Sequence, residues 1–334
     1  MLFNGIPADV STAEEGCVKL GIDNLKSGIV ARGILLDFPR LKGVPYLEPG
    51  TPTYIEDIEA WEAQLNFFTR KTQRPEMSAF GRSPYREIPP TLVDAYTLGG
   101  IIPVANWYLN DSNSRRIPPW TRNLIDGYLA ANTIENIRNR SPALRGSYGT
   151  GPIQRLTEAF LRYEVTKKQV ACVGSRKPWI ESVLLNLQND VTTVEYNPPA
   201  CSDSRISIAT FDAFSDPGWT PTFDAIVSFS SLEHFGLGRY GDPLSPFGDV
   251  KAMGVIKRRL QPSGVLVVGF PCGPDTLVWN AHRIYGRLRY PLVTTGYREL
   301  EWQGTPKEEL FETVLDTNRP RAYQPVITLR PTGG

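Results

Sequence analysis

The sequence predicts an α/β protein with a three-layer, mostly parallel sheet, preceded by an irregular N-terminal region. Three observations carry this expectation. From Gly151 onward, short β-branched apolar runs alternate with stretches of helical periodicity. Each run ends abruptly in glycine or in ionisable side chains. Before that point Pro and Gly cut the chain into brief apolar patches. Strands that alternate with helices are joined by crossovers, so they lie parallel and have both faces covered.

PIQRLTEAFLRYEVTKK sets Ile153, Leu156, Phe160 and Leu161 on one helical stripe and leads into the strand QVACVG. SRKPWIESVLLNLQ then reads as a helix, with Pro178 suited to a first turn. VTTVEYN, ISIATFDAF and FDAIVSFS supply three more strands. DVKAMGVIKRRL carries Val250, Met253, Ile256 and Leu260 at helical spacing, and GVLVVGFP gives a fifth strand after the turn signal QPSG. Residues 73–150, with SPYREIPP, DSNSRRIPPW and RGSYGTGP, read as loops with brief helices. The expected organisation is therefore an N-terminal segment over 1–72, a loop-rich extension over 73–150 and a sheet domain over 151–334.

With 36 basic and 35 acidic residues among 334, the overall charge gives no reason to expect nucleic acid as a partner. Cys17, Cys172, Cys201 and Cys272 show no paired spacing, which fits reduced thiols better than disulfides or a zinc site. MLFNGIPADVSTAEEG lacks the basic flank and apolar run of a signal peptide, and no stretch has the length of a membrane span. A cytoplasmic protein is expected.

Ligands of a parallel sheet bind beyond the carboxyl ends of its strands, so those ends hold the candidate site. The first ends in Gly174-Ser175, where a side-chain-free turn and a helix N-terminus permit close approach of an anionic group. The second ends in Glu195, about twenty positions on, a separation at which an acidic side chain meets a ribose. The fourth passes from FDAIVSF into SSLEHFGLGRYGDP, an exit from the buried sheet into a cleft.

With LQPSG before the fifth strand, these features resemble class I AdoMet-dependent methyltransferases. GSRKPWIE, TTVEYN, SLEHFGLGRYGDP and WNAHRIYG resemble more closely a methyltransferase-like family of uncharacterised function. The resemblance implies a Rossmann-like methyltransferase domain and S-adenosyl-L-methionine (AdoMet) as cofactor. It implies that Gly174 and Ser175 face the methionine moiety, Glu195 the ribose hydroxyls and Asp212 the adenine. The sequence departs from the usual glycine-rich loop, since Ser175, Arg176, Lys177 and Pro178 follow Gly174. Two cations there suit a carboxylate or phosphate and disfavour a nearby sulfonium.

Glu233 and His234 are the acid/base candidates, because an imidazole exchanges protons near neutrality. Arg239 is expected to grip an acidic group of the substrate and Asp242 to orient its neighbours; the alternative is an Arg239–Asp242 pair that only pins the loop. Asn280, His282, Arg283 and Tyr285 form a candidate substrate wall. The two histidines, His234 and His282, lack the short spacing of a metal site, so no metal is expected.

NGIPA, GIVARGILLDFPRLKGV, YLEPGTP and EDIEAWE, within residues 1–72, resemble part of the cyclase/kynurenine formamidase family. In that family an HxGTHxDxxxH stretch just upstream supplies metal ligands, whereas here no histidine precedes His234. The segment is expected to be a truncated or fused piece unable to hydrolyse by that mechanism alone, and Asp37, Glu48, Glu56 and Asp57 read equally as solvated charges. The leading expectation is methyl transfer to a small-molecule or glycan-like acceptor. A formamidase-type amide hydrolase and a non-catalytic Rossmann-like ligand-binding protein are the alternatives.

Overall fold

The computed structural model describes residues 11–12, 16–17, 85–112, 118–312 and 323–332. The chain divides into two compact units, 1–73 and 74–334. In the first, β1 (Ser11–Thr12) and β2 (Gly16–Cys17) pair antiparallel. The rest of the cyclase-like stretch, including Asp37, Glu48, Glu56 and Asp57, lies outside the described residues.

The second unit begins with α1 (Val93–Thr97), β3 (Val104–Asn106), α2 (Arg122–Ala131) and α3 (Ile134–Arg138). Thr121 and Thr133 cap the latter two helices by accepting from the amides of Leu124 and Asn136. Next come α4 (Thr150–Arg162), β4 (Gln169–Val173), α5 (Trp179–Asn186), β5 (Asp190–Glu195) and β6 (Ile206–Thr210). The stripe on α4 buries Ile153, Leu156 and Phe160, as its spacing requires. FDAF does not extend the third strand, because Thr210 accepts from the amide of Ala213 and starts α6 (Phe211–Ser215).

After β7 (Phe223–Phe229) and α7 (Gly248–Arg259) comes β8 (Leu260–Gly269). QPSG, expected as a turn, lies inside β8: Phe223 pairs with Leu260 and Ala225 with Val265, so these residues form an irregularity within the strand. The remaining elements are β9 (Thr276–Trp279), β10 (His282–Ile284), α8 (Arg289–Val293), β11 (Tyr297–Gln303), α9 (Lys307–Glu312) and β12 (Val326–Pro331).

The main sheet has seven strands in the order β11-β12-β8-β7-β4-β5-β6. Its five predicted strands are mutually parallel, while β12 runs antiparallel to both β8 and β11. This is a Rossmann-like sheet, mostly parallel. One apolar cluster packs α2, α4 and α5 on one face; a second packs α6, α7 and α8 on the other. A separate three-stranded sheet, β10-β9-β3, joins the early part of this unit to the segment after β8. Among the described residues no helix is long and apolar enough to cross a membrane.

From β4 the chain moves outward to β5 and β6, then returns to place β7 on the other side of β4. Strand order therefore reverses between β4 and β7, and a crevice opens where their carboxyl ends diverge. Every residue of β7 from Ala225 to Phe229 is buried. Ile226 is fully enclosed in the middle of this strand, and Ile226→Ala is expected to cost about 2–5 kcal/mol. Urea denaturation should give a lower midpoint with an unchanged slope.

Candidate functional site

The reversal point opens into a cavity of about 820 Å³, within the range of about 300–1,000 Å³ usual for small-molecule sites. Its lining includes Gly174, Ser175, Glu195, His234, Arg239 and Asp242, six of the candidates drawn from separate stretches of sequence. The turn after β4 and the turn after β7 meet at its floor. Gly174 has φ +81°, and a Cβ there would lie 1.8 Å from Ser231 Oγ and 2.2 Å from Ser231 Cβ. The glycine is therefore required by the protein's own contact across the reversal.

Below the turn, fully buried Glu181 accepts hydrogen bonds from Ser175 Oγ and Thr193 Oγ1, each at 3.0 Å. The Ser175 amide donates to Glu195 Oε1 at 2.5 Å and the Tyr196 amide to Oε2 at 3.1 Å, so the carboxylate is already aimed. Burial pushes the pKa of Glu195 up to about 7, against those two amides and the nearby charge of Arg176. Arg176 and Lys177 both line the cavity.

Beyond β7, Ser230 adopts φ +54°, a left-handed conformation rare outside glycine and often found at functional sites. It turns Oγ toward Glu233 Oε1, 2.9 Å away, and accepts from Gln324 Nε2 at 3.0 Å. Glu233 lies behind the lining, almost wholly buried, and its Oε2 has no hydrogen-bond partner. Burial raises its pKa to about 7.

His234 Nδ1 is 2.6 Å from the carbonyl of Ala281. A carbonyl only accepts, so Nδ1 carries the proton and Nε2 is left as an acceptor, 3.8 Å from Glu233 Oε1. Burial, followed by the charge of Arg239, lowers the pKa of His234 to about 3 and holds the ring neutral.

The Arg239–Asp242 pair does not form. Arg239 Nε donates to Asp111 at 2.8 Å, while Asp242 accepts from the amides of Gly236, Gly238 and Tyr240 at 2.8–3.2 Å. Asp242 is thus the internal cap of its loop. Gly236, at φ +79°, has the Ser245 carbonyl only 2.2 Å from where a Cβ would stand. Tyr196 and Asn197 tie the same loop to the end of β5 by donating to the carbonyls of Gly241 and Tyr240, each at 3.2 Å.

The proposed substrate wall is mostly structural. Arg283 is buried and donates to the carbonyls of Phe235, Ser245 and Pro246. Asn280 Oδ1 accepts from the Leu109 amide at 2.8 Å. The Tyr285 hydroxyl donates to Asp249, which also pairs with Arg289. None of the three lines the cavity; His282 borders a different hollow. Asp212 sits exposed in the first turn of α6 outside the lining, and its neighbour Phe211 takes the wall position.

Sequence reading did not single out Arg145, Tyr128 or Tyr148, which bring residues before Gly151 into the lining. Buried Asn132 fixes that segment by accepting from the Arg145 amide and donating to its carbonyl and to Ser182 Oγ. The signal for Tyr148 was the glycine-flanked RGSYGTGP, legible only as a loop. Among the described residues no group of three His, Cys, Asp or Glu side chains is placed to hold a metal ion.

Residues 167–324 match a family model described as Caenorhabditis protein of unknown function, DUF268. No curated protein matches the sequence. Similar solved structures include the Burkholderia thailandensis 1,6-didemethyltoxoflavin-N1-methyltransferase with bound 1,6-didemethyltoxoflavin and S-adenosylhomocysteine. It is 14% identical with a TM-score of 0.39, covering 53% of this chain and 76% of that one. The N-methyltransferase NodS from Bradyrhizobium japonicum WM9, in complex with S-adenosylhomocysteine, is 15% identical with a TM-score of 0.38, covering 63% and 97%.

Gly174→Ala is expected to cost at least about 2 kcal/mol, from overlap with Ser231 and the left-handed backbone. Adding Ser231→Gly should restore part of this, leaving about 1–2 kcal/mol for the backbone alone; thermal unfolding of the single and double variants measures both. Glu233 titrates near 7 in the native state against an ordinary 4.5. The native protein therefore binds more protons than the unfolded chain across that window, and this group's contribution to stability falls as pH rises through it. Glu233→Gln removes the slope, so its stability relative to the parent should climb from pH 5 to pH 7 and then level off. Urea midpoints at four pH values check this, with the opposite contribution of His234 common to both proteins.

Proposed function

We propose that this protein is an AdoMet-dependent methyltransferase acting on a small-molecule or glycan-like acceptor. The observation that carries the reading is the convergence of Gly174-Ser175, Glu195 and the Ser230–His234 turn on one cavity at the reversal of strand order. A nucleoside-sized ligand fits its volume of about 820 Å³. Glu195, aimed by two backbone amides, suits a pair of ribose hydroxyls. Ser175 and the cations Arg176 and Lys177 suit the methionine end, and Phe211 with Tyr196 provides aromatic walls for the base. Asp212, outside the lining, has no part in this arrangement.

AdoMet supplies a methyl group on a positively charged sulfur, activated for in-line displacement by an acceptor oxygen or nitrogen. The chain's task is to place that acceptor atom and to take its proton. Glu233 is the base in this reading. Its carboxylate has an oxygen without a partner and a pKa close to neutrality, and it reaches the cavity through the Ser230 hydroxyl. The acceptor atom's proton would pass to the Ser230 hydroxyl as that hydroxyl gives its own proton to Glu233. His234, with its strongly lowered pKa, is too weak a base for that role; its neutral Nε2 accepts a hydrogen bond and orients the acceptor. Arg239, fixed by Asp111, presents a positive edge to the acceptor.

The formamidase alternative rests on residues 1–72, and no observation on the described residues favours it. Titration calorimetry with AdoMet and S-adenosylhomocysteine tests the proposal. The intact folded chain is expected to bind both, and Glu195→Ala to weaken binding by about 1.5–3 kcal/mol, roughly tenfold to a hundredfold, through loss of charged hydrogen bonds. Absence of binding by the folded parent protein would sink the reading.

A further inference from the structure

A second hollow, of about 460 Å³, adjoins the first, and Tyr148 lines both. Between them stands the hydrogen-bonded set Gln324–Ser230–Glu233, with the Tyr148 hydroxyl within hydrogen-bonding reach of Ser230. Arg155, from α4, projects to this hollow and stacks over the ring of Tyr323 at 5.4 Å. Its Nε is buried and has no hydrogen-bond partner.

A guanidinium stays charged at any physiological pH, and a buried donor left unpaired is unfavourable. Stacking on an aromatic ring leaves its in-plane N–H groups available. Among the described residues none that lines the hollow is acidic, in contrast to the first cavity with Glu195 and Asp242. The other ionisable lining groups among the described residues are His282, Tyr148 and Tyr323, and His282 is held neutral by burial and by the charge of Arg239. The Arg155 guanidinium, a permanent positive charge, therefore borders a space to which the described residues contribute no carboxylate.

We propose that this second hollow binds the carboxylate or phosphate of a small molecule through Arg155. On the methyl-transfer reading, on which this identification rests, that molecule is the acceptor. Its anionic end lies on Arg155 and its reacting atom reaches past Tyr148 toward Ser230. The anion site itself depends only on the geometry of the hollow.

The test uses the full chain, with inorganic phosphate and succinate as probes, titrated calorimetrically with and without saturating S-adenosylhomocysteine. The parent protein is expected to bind at least one anion saturably. Arg155→Gln should bind it at least tenfold more weakly, with an unchanged urea midpoint and an affinity for S-adenosylhomocysteine within twofold of the parent. Arg176→Gln, in the first cavity, should leave anion binding intact. The preferred probe distinguishes a carboxylate from a phosphate ligand. Equal anion affinity in the parent and Arg155→Gln, no saturable anion binding by the parent, or displacement of the anion by S-adenosylhomocysteine would each overturn the assignment. If S-adenosylhomocysteine fails to bind but Arg155-dependent anion binding persists, the anion site stands and the methyl-transfer reading falls.

Discussion

The site depends on one close contact: the turn that ends β4 lies against the turn that ends β7, with Gly174 directly under Ser231. Parallel neighbours with exits on the same side would ordinarily crowd each other. Removing one side chain lets the two backbones approach, and the cavity forms above the junction. Glu195 is held to the Gly174 turn through the Ser175 amide, and Glu233 to the Ser231 turn through Ser230. Both carboxyls are therefore placed by the same junction.

Most of the ionisable residues around this junction are occupied in holding backbone. Arg283 gathers the carbonyls at both ends of the loop after β7, and Asp242 gathers three of its amides. Glu181 holds Ser175 from beneath. Such groups are buried with most of their hydrogen bonds made, and they make a loop without regular secondary structure behave as a fixed wall. Glu233 Oε2 and Arg155 Nε, like Nε of Arg283 itself, are among the buried atoms that make no hydrogen bond.

The neutral His234 beside a carboxyl that titrates near 7 follows from the same burial. Desolvation penalises the charged form of each, so it raises the acid and lowers the base. The ordinary order of a carboxyl and an imidazole is inverted, and Glu233, not His234, becomes the group that exchanges protons near neutrality. Rank by unperturbed pKa, the only criterion open to sequence reading, favours the histidine.

The sequence by itself determined the five parallel strands, the helices before and after β4 and before β8, and the strand ends at which ligands gather, because local hydrophobic period and glycine punctuation are properties of adjacent residues. It missed the antiparallel β11 and β12 and placed a turn at QPSG where β8 carries an irregularity, since strand direction and register are fixed by partners distant in the chain. Only the tertiary structure decided which charges are structural. Arg239 chooses Asp111 over nearby Asp242, and Arg283 turns inward to carbonyls. It alone brought Tyr148 to Ser230 and set Arg155 over Tyr323, because burial and partnership arise from packing between segments whose sequences carry no record of one another.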